Sequence, residues 1–259
     1  MIYPGLVSVT FRKLSPPEVV ALARKANLRG IEWGGDIHVP HGDIGRAREV
    51  RALTQEAGLV VAAYGSYYKA GWSELNGLPF RSVLDSAVEL GAPTIRVWPG
   101  VKGSADVDEN GRWAVIEDLK RIATQAAQVG VSITLEFHGG SLTDTNESAS
   151  QLLVELDHAN IFMGWQPHNG EETADCVEGL GAVLPKVGNI HVFHWWPTSG
   201  DRHPLAEGET RWAEFFKKLG TLPGDRYALL EFVPGESVES LIRDAATLNE
   251  WLHRLKSDA

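Results

Sequence analysis

The chain has 259 residues, 43% hydrophobic and 22% charged, with a formal net charge of −10. These fractions exclude a disordered or low-complexity chain, and the acidic excess argues against phosphate backbones and anionic membranes as partners. The lone Cys176 excludes an internal disulfide, while the lack of a long apolar run or charged-then-apolar leader points to a cytoplasmic protein.

Short β-branched runs alternate with longer amphipathic ones along the whole chain. The first predicted strand, Leu6–Phe11, leads to a helix at Pro16–Lys25, which Ser15 introduces with two first-turn prolines and Glu18. Strand Gly30–Trp33 precedes helix Ile44–Glu56, and strand Leu59–Tyr64 precedes helix Phe80–Leu90. Then come Thr94–Trp98 with Trp113–Val129, and Ser132–Phe137 with Ser148–Leu156. Ile161–Gln166 with Cys176–Leu184, Asn189–Trp195 with Arg211–Leu219, and Tyr227–Phe232 with Ser237–Leu255 complete the series. The helical stretches repeat apolar residues at three- and four-residue spacing. Glycines at 30, 58, 91 and 130 follow such stretches, where a left-handed residue ends a helix. Eight strand–helix units without a linker predict an α/β chain folded as one (β/α)8 barrel domain spanning residues 1–259. An open doubly wound sheet is the alternative, and no Gly-x-Gly-x-x-Gly run after the first strand supports it.

In such a barrel the reactive groups sit at the carboxyl ends of the strands, and two-residue alternation decides which side chains face the axis. Val131, Ile133 and Leu135 share the helix-facing side, which turns Glu136 inward at the strand end. The same reasoning turns Gln166, His191 and Glu231 inward. Two carboxylates, an imidazole and an amide oxygen form a nest for a hard or borderline divalent ion, Mn²⁺ or Mg²⁺ first, with Co²⁺ or Zn²⁺ as further candidates. With no lysine predicted to face inward beside them, the two glutamates repel one another unless a cation joins them.

Several short segments then resemble one family in order: Leu135-Glu136-Phe137-His138, Trp165-Gln166-Pro167-His168-Asn169, Asn189-Ile190-His191-Val192 and Leu230-Glu231-Phe232. They resemble the metal-ligand strand ends of the xylose isomerase-like TIM barrels, the sugar phosphate isomerase/epimerase relatives. Gly30-Ile31-Glu32-Trp33 and the run Pro204 to Trp212 resemble the second strand and the loop after the seventh strand of that family. The resemblance implies one divalent ion held by Glu136, Gln166, His191 and Glu231, although Gln166 stands where the family has an aspartate. It also implies proton transfer on a ketose or polyol by Glu136 and Glu231, giving isomerisation or epimerisation. A keto-inositol dehydratase-like lyase and a non-catalytic sugar-binding barrel are the competing expectations. For substrate contacts the expectation is Arg202, in the loop after His191, with Asn169, His168, Trp98 and Glu32 around the pocket; parity turns Trp98 and Arg96 inward and Trp33 outward. The loop from Asp36 to Asp43, with His38 and His41, offers a weaker second metal reading. The expected partner is an unphosphorylated small sugar or polyol, with no nucleic acid and no membrane, and a homo-oligomer is left open.

Overall fold

Eight parallel strands close on themselves in chain order, and eight α-helices follow them in a computed structural model that describes residues 1–257. The strands are β1 (Ile2–Val7), β2 (Gly30–Gly34), β3 (Val60–Lys69), β4 (Thr94–Trp98), β5 (Ser132–Glu136), β6 (Ile161–Trp165), β7 (Val187–Val192) and β8 (Arg226–Leu230). The helices are α1 (Pro16–Lys25), α2 (Ile44–Glu56), α3 (Phe80–Leu90), α4 (Glu109–Ala127), α5 (Asn146–Leu156), α6 (Thr173–Val183), α7 (Glu209–Leu219) and α8 (Val238–Ser257). Ile2 opposite Arg226 and Leu6 opposite Leu230 close the barrel between β1 and β8.

Several local expectations shift: the seventh strand runs over Val187–Val192 and the sixth helix over Thr173–Val183, and four further differences bear on the fold around the site. The first strand runs over Ile2–Val7, and Ser8–Phe11 forms a 3-10 turn instead of continuing it. The hydroxyls in that turn serve neighbouring loops: Ser8 Oγ accepts the Gly34 N–H at 2.9 Å, and Thr10 Oγ1 accepts the Phe232 N–H at 2.9 Å. β3 continues past Tyr64 to Lys69 through an irregularity in its pairing with β4. α4 begins at Glu109 because Asp108 accepts the Gly111 N–H, a cap that apolar periodicity does not register. After α1 it is Asn27, with φ 53°, that takes the left-handed position. Gly30 belongs to β2, where any Cβ would lie 2.5 Å from the Tyr227 ring.

The main core lies between barrel and helices, with Trp33, Trp165, Trp212 and Phe215 among its fully buried side chains. Burying each such side chain stabilises the fold by about 1.5–3 kcal/mol. A smaller apolar cluster of Val7, Val9, Ala62 and Leu229 lies apart from it. Below the site, the Asn189 side chain donates to the Ala62 carbonyl and accepts from the Tyr227 N–H, while Thr94 and Thr134 share a hydrogen bond of 2.6 Å. These polar groups at the base are therefore satisfied by backbone or by one another, while Glu32, Arg96, Glu136, His191 and Glu231 gather toward the carboxyl ends of the strands.

Candidate functional site

Glu136 ends β5, Gln166 follows β6, His191 lies in β7 and Glu231 follows β8, and their side chains meet. His191 Nδ1 lies 2.9 Å from Gln166 Oε1, 3.4 Å from Glu231 Oε2 and 3.7 Å from Glu136 Oε1. One donor atom from each of Glu136, His191 and Glu231 falls within 4.8 Å of the others, and all three residues are buried. The opposite ring nitrogen, Nε2, faces Glu32 Oε2 at 3.5 Å. A carboxylate behind the imidazole is how a metal-ligating histidine is commonly oriented.

Arg96 adds a feature that the sequence reading underweighted. Its guanidinium is 2% exposed; Nε donates to Glu32 Oε1 at 2.6 Å and Nη1 donates to Glu136 Oε2. Trp98 Nε1 donates to the same Glu136 oxygen. A basic side chain, arginine and not lysine, thus does stand beside the glutamates. Gly65 makes room for it, since a Cβ there would meet Arg96 Nη2 and Glu32 Oε1 at 2.8 Å. The Tyr67 ring covers the guanidinium carbon at 4.9 Å, from a left-handed residue (φ 55°) in the β3 irregularity.

Burial opposes every charge in this cluster, and the partners decide the outcome. Desolvation would lower the His191 pKa, yet Glu231 and Glu32 outweigh it and push it up to about 10. Desolvation would raise Glu32, but Arg96 and then His191 bring it down to about 2. Desolvation of Arg96 is likewise outweighed by Glu136 and Glu32, which raise it well above its usual value. Three carboxylates face one guanidinium, so with a neutral imidazole the cluster carries two uncompensated negative charges. A single divalent ion offsets both, and the oxygen and nitrogen donors present suit Mn²⁺ or Mg²⁺. The donor set fits the metal implied by the sequence.

The expected substrate contacts separate into two groups. Trp98 lies in the site through its bond to Glu136, and its ring stacks on His138 at 4.0 Å. Glu32 is enclosed beneath Glu136 and His191, 2% exposed and bonded to Arg96 and His191, so its carboxylate is occupied within the cluster. Arg202 sits on the rim, paired with Glu236 at 2.9 Å and lying 4.9 Å from the Phe232 ring centre. His168 packs against outer-core Phe137 at 5.3 Å, and Asn169 is exposed; neither joins the four converging side chains. His38 bonds Ser8 Oγ and the Leu14 carbonyl, and His41 bonds the Ser66 carbonyl, so these histidines tie the loop to the barrel. Sequence reasoning passed over Lys69 and the interactions of His138. Lys69 pairs with Trp98 only after the register shift between Gly65 and Tyr68, which two-residue alternation does not register.

Residues 20–252 match the family model described as xylose isomerase-like TIM barrel. A 3-dehydroshikimate dehydratase of Bacillus anthracis is 28% identical over 167 residues, which is 58% of this chain and 59% of that protein's length. The fold is shared with the crystal structure of the probable 3-DHS dehydratase involved in petrobactin synthesis from the same organism, at a TM-score of 0.76 and 21% identity, covering 95% of this chain and 98% of that one. An L-ribulose 3-epimerase structure aligns at a TM-score of 0.71 and 15% identity, covering 100% of this chain and 97% of the other. At such identities the two structures speak for the fold.

Proposed function

The chain belongs to the xylose isomerase-like TIM barrel family, and from that premise we propose that it is a divalent-metal-dependent lyase that removes water from a polyhydroxylated cyclic ketone of the 3-dehydroshikimate kind. The observation that carries this reading is the unequal state of the groups able to move a proton. Glu136 is tied as an acceptor by Arg96 and Trp98 through one oxygen. Two residues on, half-buried His138 stacks on Trp98 and engages the Gly139 carbonyl through Nδ1 at 2.6 Å. That bond makes Nδ1 the protonated nitrogen and leaves Nε2 as the basic one. Epimerisation through two carboxylates needs both free to exchange protons on opposite faces; elimination needs one base.

Glu136, His191 and Glu231, with Gln166, would hold the ion, which when bound polarises the substrate carbonyl as a Lewis acid. His138 Nε2 takes the proton from the carbon beside that carbonyl. The electron pair left behind becomes a ring double bond as the hydroxyl on the next carbon departs. The imidazolium returns its proton to that hydroxyl, and water leaves. Tautomerisation of the resulting dienone then gives a dihydroxybenzoate.

The dehydratase relative supports this reading. Epimerisation or isomerisation of a ketose is the second reading, favoured by Glu231, whose carboxylate faces the nest near His191 without an arginine partner. Purified protein loaded with Mn²⁺ should convert 3-dehydroshikimate to a product lighter by one water with catechol ultraviolet absorption. Turnover should stop on chelation and fall by roughly 10²–10⁴-fold in His138→Ala. Mass-conserving conversion of ketoses, with 3-dehydroshikimate untouched, would decide for the second reading.

A further inference from the structure

We propose that Lys69 is the specificity-determining residue of this site and that it takes a carboxylate on the substrate. The inference rests on the reading of the site as a carbonyl-activating centre and adds the chemical class of the group held at its wall. Lys69 ends β3 opposite Trp98 of β4, in register, and strand neighbours in register share a face. Trp98 faces the barrel interior and bonds Glu136, so Lys69 stands on the same side, one aromatic ring away from the ligand nest. Its Nζ lies 5.1 Å from the Trp98 ring centre and 5.6 Å from that of Trp72.

The local backbone fixes this placement. Ser66 Oγ donates to the Arg96 carbonyl at 2.7 Å and accepts the Tyr68 N–H, pinning the irregularity that precedes Lys69. Ser73 Oγ accepts the Lys69 N–H at 2.7 Å. The other cations considered for the substrate are already engaged, Arg96 by Glu32 and Glu136 and Arg202 by Glu236. Lys69 has no acidic group within 4.0 Å among the described residues. The ammonium of half-buried Lys69, within reach of two indole rings in a chain of net charge −10, therefore has no carboxylate partner. An anionic substituent on the substrate supplies the missing partner, and a charge-assisted hydrogen bond to it selects the acid over its neutral analogue.

Binding of 3,4-dihydroxybenzoate and of catechol to the Mn²⁺-loaded protein, followed by tryptophan fluorescence, tests this without depending on turnover. The unaltered chain should prefer the carboxylate by about ten- to a hundredfold. Lys69→Met should abolish that preference while catechol binding and thermal stability stay unchanged, and Lys69→Arg should restore much of it. With 3-dehydroshikimate as substrate, Lys69→Met should raise KM far more than it lowers kcat. Equal binding of the two probes by the unaltered chain, or a preference that survives in Lys69→Met, would overturn the inference. A Lys69-dependent preference without dehydration of 3-dehydroshikimate would instead overturn the proposed reaction and leave the carboxylate site standing.

Discussion

Arg96 touches two carboxylates at once, and so its removal has a definite sign. Glu32 and Glu136 are both nearly inaccessible, and each depends on the guanidinium for charge compensation. Truncating one partner of a buried pair leaves the other charge uncompensated, at a cost of about 3–5 kcal/mol. Arg96→Met should therefore destabilise the metal-free protein by about that amount in urea unfolding at neutral pH. Added Mn²⁺ should recover part of the loss, because an ion held as proposed would supply positive charge to Glu136 but not to Glu32. Equal destabilisation with and without metal would mean that Glu136 is not a ligand. Glu32→Gln separates the second role: it keeps a hydrogen-bonding group behind His191 Nε2 but removes the charge, and metal affinity should fall by about 10–100-fold. Isothermal titration with Mn²⁺ measures that directly.

At the scale of elements, the turn after β1 is fastened to the segment after β8 beside Glu231, a proposed ligand. Its successor Phe232 has φ 40°, a left-handed conformation that an aromatic residue adopts only under constraint, and the Phe232 N–H is held by Thr10 Oγ1. Thr10→Val removes that acceptor while preserving shape. It should weaken metal binding about tenfold, and Thr10→Ser should retain it; equal loss in both variants would point to packing alone. This fastening was invisible in the sequence. Ser-Val-Thr-Phe reads as two more residue pairs of a strand, because alternation alone cannot register a hydroxyl that serves a distant loop. The inward directions of Glu136, His191 and Glu231 were legible, since their flanking residues are apolar at every second position and pack in the outer core. Gln166 was legible on the same ground. Arg202 was placed by loop position, and a loop carries no period from which its pairing with Glu236 could be read. Parity turns Arg96 inward, yet which acids it meets depends on β5 lying beside β4 and on Gly65 of the intervening β3 leaving room to reach Glu32 on β2, a tertiary fact.

For the whole molecule, the same cluster couples stability to pH at two ends. Glu32 is held at about 2 against a usual 4.5, so its contribution is present above about pH 4.5 and is lost as pH falls toward 2. His191 is held at about 10 against a usual 6.5, so its contribution in the metal-free protein is present below about pH 6.5 and is lost as pH rises through 10. A metal bound through His191, as proposed, needs the imidazole without its proton, and binding in the neutral range would expel that proton. Apparent affinity should then rise about tenfold per pH unit. At a metal concentration about 100 times the dissociation constant at pH 8, binding adds about 2.7 kcal/mol of stability. At pH 6 the same concentration only about equals the dissociation constant, and the gain is about 0.4 kcal/mol. With roughly 2–4 °C in Tm per kcal/mol for a chain of this size, Mn²⁺ should raise Tm by about 5–10 °C at pH 8 and by about 1 °C at pH 6. Differential scanning calorimetry with and without Mn²⁺ at the two pH values measures this. A shift of the same size at both would show that no proton leaves on binding, and hence that His191 is not among the ligands.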